Sequence, residues 1–82
     1  MNLMSSYKIY LTKSHEVAAR ISRSFCSDGS MQEGIRSVNH GKVQGGNELI
    51  PAIYHNKGYS CCVVELEENG EHDAPTYELT IC

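Results

Sequence analysis

The dipeptide Asn69–Gly70 separates residues 59–67, an apolar-rich segment with Cys62, Val64 and Leu66 at every second position, from residues 76–82, whose apolar residues Tyr77, Leu79 and Ile81 alternate with polar ones. Both central positions of a two-residue type I′ turn require positive φ, which Asn followed by Gly adopts readily. Strict alternation over such lengths is typical of half-buried strands. The sequence therefore predicts an antiparallel β-hairpin that turns at Asn69–Gly70.

This turn fixes a register, and the register collects apolar side chains on one face. It places Cys62 opposite Tyr77, and a third strand predicted at residues 49–55 contributes to the same face. The predicted core face comprises Cys62, Val64, Leu66, Tyr77, Leu79, Ile81, Ile50, Ala52 and Tyr54. The turn chemistry and the apolar pattern give the same register, which supports both. Because this face is apolar, we expect a helix to cover it.

The first third of the chain changes period. Residues 7–13 alternate and predict a strand, whereas residues 14–25 place apolar side chains on one helical face, with Ser14 as the N-cap. Residues 34–47 contain four glycines and show no sustained period. The whole stretch 27–48 is therefore expected to be irregular, either as a loop or as a short hairpin.

Together these segments predict one α+β domain over residues 1–82. One helix would pack on a small, mostly antiparallel sheet of about four strands, in the order β-α-irregular-β-β-β. A chain of 82 residues has room for one modest core.

The opposite face of the predicted sheet is more apolar than a solvated face should be. It carries Ile53, Tyr59, Cys61 and Val63. We expect a cover, which residues 27–48, a second copy or a foreign partner would supply. With no partner present, the apolar patch predicts a homodimer.

Charge is distributed unevenly along the chain. Residues 1–45 hold six basic and three acidic residues, a net charge of +3, whereas residues 46–82 hold one lysine and seven carboxylates, a net charge of −6. The acidic excess concentrates around the predicted turn, at Glu65, Glu67, Glu68, Glu71 and Asp73. Such a cluster either keeps a sheet edge soluble or docks onto a basic protein surface.

Basic residues define an alternative surface. They are Lys13, Arg20, Arg23, Arg36 and Lys42. An isoelectric point near 5.7 and the lack of a nucleic-acid-binding motif argue against nucleic acid as the partner.

Catalytic and metal-binding motifs are absent from the sequence. No C-x₂-C pair exists, so a zinc site would need distant residues such as His55, His72 and Cys82. A Cys–His pair of Cys61 with His55 or His72 has no orienting third group. The stretch "HGKVQGG" does not match a phosphate-binding P-loop. No catalytic residue, metal or cofactor is therefore predicted.

No apolar run has the length of a signal peptide or a membrane span, which predicts a cytoplasmic protein with reduced thiols. We expect a non-catalytic inhibitor or regulator that binds a basic, nucleic-acid-processing protein, of the kind that phages and mobile elements encode. The alternatives are a small enzyme or enzyme subunit that uses His and Cys residues, and a nucleic-acid binder that uses the basic helix face.

Overall fold

The computed structural model describes residues 6–27, 30–67 and 76–82. They form an α+β fold in which one α-helix packs on a four-stranded mixed sheet. The elements in chain order are β1 (Ser6–Thr12), α1 (His15–Phe25), β2 (Cys26–Ser27), β3 (Ser30–Met31), β4 (Ile35–Lys42), a 3₁₀ turn (Ala52–Tyr54), β5 (Ser60–Leu66) and β6 (Thr76–Ile81). The predicted fold class, with one helix and about four strands, is confirmed.

The predictions for the first 25 residues are also confirmed. In β1 the alternation buries Ile9 and Leu11 completely on one face. Helix α1 begins after Ser14, whose hydroxyl accepts a hydrogen bond from the Val17 N–H at 3.3 Å. That bond satisfies one of the N–H groups that a helix leaves unpaired in its first turn.

The strand order in the main sheet is β4-β5-β1-β6. Strand β5 lies between β4 and β1 and is antiparallel to both, while β6 lies beyond β1 and runs parallel to it. Strands β2 and β3 form a separate two-stranded ribbon after the helix.

The predicted hairpin pairing of residues 59–67 with 76–82 is wrong. Cys62 lies opposite Tyr10, and Tyr77 lies beside Tyr7, so β1 separates the two strands. Asn69–Gly70 itself lies outside the described residues. Strand β1 occupies one edge of β5 and β4 occupies the other, each in a ladder of seven residue pairs. No edge of β5 is therefore left for β6.

The new position of β6 also corrects the predicted core face. Tyr77, Leu79 and Ile81 pair in register with Tyr7, Ile9 and Leu11, so they lie on the face opposite Cys62 and Val64. Cys62 and Val64 are fully buried on the face that α1 covers, as predicted for those two.

The predicted strand at residues 49–55 is wrong. Pro51 adopts φ −54° and ψ 142°, and the chain then turns through Ala52–Tyr54, with the His55 N–H donating to the Ala52 carbonyl at 3.0 Å. Pro51 has no N–H for a strand ladder, and its extended geometry leads into the turn instead.

The expectation that residues 27–48 are irregular is wrong for residues 35–42, which form β4, whereas residues 43–48 lie in no helix or strand. Strand β4 runs through Asn39, His40 and Gly41 without a turn and pairs with β5 along its length, except for one irregularity between Ile35 and Ser37. Glycine lowers strand propensity, but pairing with a buried central strand outweighs that cost here.

The core on the second face is built from β1, β5 and the chain between β4 and β5. Its buried members are Ile9, Leu11, Val43, Ile50 and Cys61. Residues 43–59 therefore cover the face that carries Cys61 and Val63, so the predicted cover belongs to the chain itself. Residues 43–48 of this cover fall in the 27–48 stretch proposed from sequence, and Val43 is the member of the buried core cluster that they contribute.

Candidate functional site

Glu65, the first of the predicted acidic binding residues, is held by its own chain. One carboxylate oxygen accepts a hydrogen bond from the Tyr7 hydroxyl at 3.3 Å, and the other accepts one from the Ser37 hydroxyl at 3.2 Å. Arg36 approaches the same carboxylate at 3.6 Å. The Glu65 side chain is only 22% exposed, so it braces β1, β4 and β5 against one another.

Glu67 differs from Glu65 because its side chain is exposed. Its backbone N–H donates to the Gly34 carbonyl at 2.8 Å, which ties the end of β5 to the turn before β4. Gly34 has a φ of +87°, a conformation that a residue with a Cβ rarely adopts. Glu68, Glu71 and Asp73 lie outside the described residues.

The strand ends on either side of these carboxylates in the sequence are Leu66 and Thr76. Leu66 and Thr76 lie on either side of Ser6, one through β5 and the other through β6. Residues 67–75, hereafter the acidic segment, therefore leave and re-enter the sheet at the same end. The carboxylates of this segment are Glu67, Glu68, Glu71 and Asp73.

Three lysines belong to the opposite end of the sheet. Lys42 pairs with Ser60, which also lies opposite Thr12, so Lys13 follows at the same level. The Lys13 ammonium donates to the Lys57 carbonyl at 2.7 Å and lies 4.2 Å from the centre of the Tyr59 ring. We call Lys13, Lys42 and Lys57 the lysine end.

The two ends are separated by the length of β5. Its seven residues span roughly 20 Å at the rise of an extended strand. That distance exceeds the Debye length of about 8 Å at physiological ionic strength, so the lysine end does little to neutralise the acidic segment.

The other predicted basic residues do not join the lysine end. Arg20 and Arg23 are exposed on α1, and Arg36 is 50% exposed beside Glu65. The five basic residues singled out in the sequence are thus distributed over the lysine end, the helix surface and the acidic end of the sheet.

The predicted apolar contact residues have different environments. Val63 packs partly buried against the core, and Tyr59 meets the Tyr54 ring edge-on at 5.2 Å. Ile53 is 63% exposed on the 3₁₀ turn. Only Ile53 of the three is available for contact without rearrangement.

The alternative chemistry of cysteine and histidine has little support from the geometry. Burial raises the pKa of the Cys61 thiol, and burial together with the neighbouring Cys61 and Cys26 thiols raises the pKa of Cys62 to about 11. A thiol is a nucleophile only as the thiolate, which such pKa values disfavour at neutral pH. Within the described residues no cluster of three metal-binding side chains occurs, and His72 lies outside them.

Two features were missed by the sequence reasoning. The His15 and His40 rings lie 5.7 Å apart where α1 begins above β4, a contact that requires knowledge of β4. Strand β6 exposes 53% of Tyr77 and 55% of Ile81, both predicted to be core residues. The alternation of β6 was visible in the sequence, but its place at the edge of the sheet was not.

A shallow groove of about 340 Å³ lies where β5, β1 and β6 begin or end beside the acidic segment. Lys8, Leu66 and Tyr77 are among its lining residues. Lys8 is the neighbour of Glu78 in the β1–β6 register, so the groove carries no concentrated charge of one sign.

No helix within residues 6–27, 30–67 and 76–82 has the length and apolar character that a membrane crossing requires. Comparisons of the chain with protein-family models, with curated proteins and with solved structures find no match. The charge distribution and the exposed surfaces of the chain are therefore the basis on which a function is assigned.

Proposed function

We propose that this protein is a non-catalytic interaction protein that binds a basic surface of another protein through the acidic segment. The observation that carries the proposal is the separation of charge along the sheet. In the sequence four carboxylates fall within seven residues, 67–73, which connect the end of β5 to the start of β6. These two strand ends lie roughly 20 Å along β5 from the lysine end.

The nearest described cations at the acidic end already have carboxylate neighbours. Arg36 approaches Glu65 at 3.6 Å, and Lys8 lies beside Glu78 across the β1–β6 ladder. Like charges in so short a segment repel one another and destabilise the fold. A basic partner surface would relieve that repulsion and would be attracted over a long range, which raises the association rate.

The partner class we infer is a protein whose basic groove holds nucleic-acid phosphates. A row of carboxylates resembles the charge of a phosphate backbone, so binding of the acidic segment in that groove would inhibit or regulate the partner. Such a role needs no catalytic residue, in keeping with the raised pKa values of Cys61 and Cys62.

The test is a matched pair of variants. In the acidic variant Glu67, Glu68 and Glu71 become Gln and Asp73 becomes Asn; in the helix variant Arg20 and Arg23 become Gln. Each protein is immobilised, nuclease-treated lysate of the source cells is passed over it, and retained proteins are quantified by mass spectrometry. We expect a basic protein that the wild type and the helix variant retain and the acidic variant loses.

The retained protein is then purified, and its association rate is measured by stopped flow at about 20 mM and 200 mM NaCl. Salt should slow the wild type markedly and the acidic variant little, and double-stranded DNA should compete for the partner. Equal rates for the two proteins at both salt concentrations would contradict the proposal. In a parallel run with lysate that is not treated with nuclease, recovery of nucleic acid alone, lost in the helix variant, would favour binding through the basic helix face.

A further inference from the structure

Strand β6 pairs with β1 along one edge, and no strand among the described residues occupies its other edge. The Cys82 N–H donates to the Leu11 carbonyl at 2.7 Å, so the backbone groups of Cys82 point toward β1. Because successive residues of a strand alternate, the N–H and C=O groups of Tyr77, Leu79 and Ile81 point away from β1. Within the part of the chain that the structure describes, no strand pairs with this outer edge.

The two edge strands of the sheet differ in how they discourage further pairing. Strand β4 carries Arg36 and Lys42, and its ladder is irregular between Ile35 and Ser37. Charged residues and irregularities of this kind hinder the addition of another strand. Strand β6, with the sequence TYELTI, has no Pro, Lys or Arg, and its ladder with β1 is regular.

We propose that β6 pairs antiparallel with β6 of a second copy of this chain, about a two-fold axis at Leu79. Leu79 then lies opposite Leu79 of the partner subunit, and Tyr77 lies opposite Ile81 of the partner subunit. These pairs belong to one face of the sheet, where Tyr77 and Ile81 are otherwise 53% and 55% exposed. In these pairs the backbone groups of the two opposite residues point toward each other, so each pair exchanges two hydrogen bonds. The outward N–H and C=O groups of Tyr77, Leu79 and Ile81 are thereby satisfied.

Charge selects this register over its neighbour. An axis at Glu78 would place two Glu78 carboxylates directly opposite each other in a closely spaced pair, which is destabilising. An axis at Leu79 places Glu78 opposite Thr80 of the partner subunit instead. An axis at Thr80 would leave Tyr77 without an opposite residue within the strand.

Charge also favours antiparallel pairing at the scale of the whole sheet. Thr76 adjoins the acidic segment, and Cys82 lies beside Leu11, close to the lysine end. With the axis at Leu79, Thr76 lies opposite Cys82 of the partner subunit. The start of β6, which the acidic segment precedes in the sequence, is thereby brought near the lysine end of the other copy, and the two β6 starts lie at opposite ends of the β6–β6 ladder in an eight-stranded sheet.

This interface is not the apolar face that the sequence suggested for a homodimer. That face is covered by residues 43–59 of the same chain, whereas the β6 edge lies on the other side of β1. The pairing does not depend on the proposed partner of the acidic segment, because that segment is not part of the β6 ladder.

Disulfide cross-linking tests the register. A cysteine introduced by Thr76→Cys lies opposite Cys82 of the partner subunit, in a closely spaced pair suited to a disulfide. Within one chain the two positions are roughly 20 Å apart along the strand and cannot bond. The control is Glu78→Cys, which lies opposite Thr80 of the partner subunit. We expect dimer on a non-reducing gel for Thr76→Cys well in excess of the control and the wild type.

The bond is located by digestion after glutamate, which separates residues 72–78 from residues 79–82. A cross-linked pair of these two peptides supports the axis at Leu79. Dimer that forms equally in the Glu78→Cys control, or through another cysteine, would overturn this register.

Sedimentation equilibrium tests the association itself. Ile81→Lys puts a charge into the apolar row at an exposed position, and we expect its dimer dissociation constant to rise at least about tenfold. Thr80→Lys, on the opposite face, places an ammonium opposite Glu78 of the partner subunit and should lower the dissociation constant at low salt. Circular dichroism confirms that each variant is folded. A wild-type protein that remains monomeric at about 200 µM, or equal weakening by both variants, would overturn the proposal.

Discussion

At the scale of single residues, two carboxylates only two positions apart have different roles. Glu65 accepts hydrogen bonds from Tyr7 and Ser37, whereas the Glu67 side chain is exposed and only its backbone N–H is used. The sequence shows both as members of one acidic cluster. Strand alternation assigns both side chains to the same face, so only their neighbours across the sheet distinguish them.

We predict that Glu65→Ala lowers the free energy of unfolding by about 1–2 kcal/mol, because it removes the two hydrogen bonds that the carboxylate accepts from the half-buried Tyr7 and Ser37 hydroxyls. Glu67→Ala should cost less than about 0.5 kcal/mol. Arg36→Gln should also cost little, since the Arg36 side chain is 50% exposed. Urea denaturation measures all three. A similar cost for Glu65→Ala and Glu67→Ala would contradict the bracing role of Glu65.

A second prediction at this scale concerns alkaline pH. The folded protein holds the Cys62 proton to a pKa of about 11, whereas the unfolded chain loses it near the ordinary value of 9.0. Above pH 9 the unfolded state therefore binds fewer protons, and stability falls as pH rises, by on the order of 2–3 kcal/mol up to pH 11. Urea denaturation between pH 8 and 11 should show a steeper decline for the wild type than for Cys62→Ala. Identical declines would show that Cys62 does not carry the effect.

At the scale of elements, local sequence patterns predict β1 and α1 but not β4 or the turn at residues 52–54. Strand β1 and helix α1 were found because their periods, and the cap at Ser14, act within a few residues. Strand β4 was missed because its glycine and polar residues lower local strand preference, while its stability comes from pairing with β5. The apolar run at residues 49–55 predicts a strand, but Pro51 begins a turn there.

The position of β6, predicted beside β5 and found beside β1, shows why strand order is harder to predict than individual helices and strands. The Asn69–Gly70 dipeptide favours a turn, but a turn preference does not determine which strands become neighbours. Strand β5 can pair with β1 and with β4 over seven residues each, and those ladders exclude a third partner. Prediction of the candidate site is limited in the same way. The acidic carboxylates are evident in the sequence, whereas the lysine end and the outer edge of β6 can be located only when the strand order of the sheet is known.

The segment that covers the second sheet face gives a prediction at the scale of elements. In that segment, residues 43–59, Ile50 is 2% exposed and belongs to the core, whereas Ile53, three residues later, is 63% exposed. Ile50→Ala should lower the free energy of unfolding by about 2–4 kcal/mol, and Ile53→Ala by less than about 0.5 kcal/mol. Thermal and urea denaturation of the two variants provide the comparison. A large loss for Ile53→Ala would mean that this side chain is buried.

At the scale of the whole molecule, the sheet turns the uneven distribution of charge along the sequence into a separation of charge in space. The strand ends that the acidic segment connects, Leu66 and Thr76, lie at one end of the sheet and the lysine end at the other, with Glu65 and Arg36 forming an ion pair near those strand ends. Charge of this kind acts beyond pairwise contacts, through the summed field of many groups. It favours an oriented approach of partners, and it also leaves repulsion within the acidic segment.

That repulsion gives the last prediction. Added NaCl screens it, so the melting temperature of the wild type should rise between about 10 mM and 150 mM salt, where the Debye length shortens from roughly 30 to 8 Å. The acidic variant should start with a higher melting temperature at low salt and respond less, because its carboxylates are replaced by neutral amides. The helix variant, which keeps the acidic segment intact, should retain the salt response of the wild type. Calorimetry at low protein concentration keeps dimerisation from contributing. Equal salt responses of the wild type and the acidic variant would show that the segment carries no net repulsion in the folded protein.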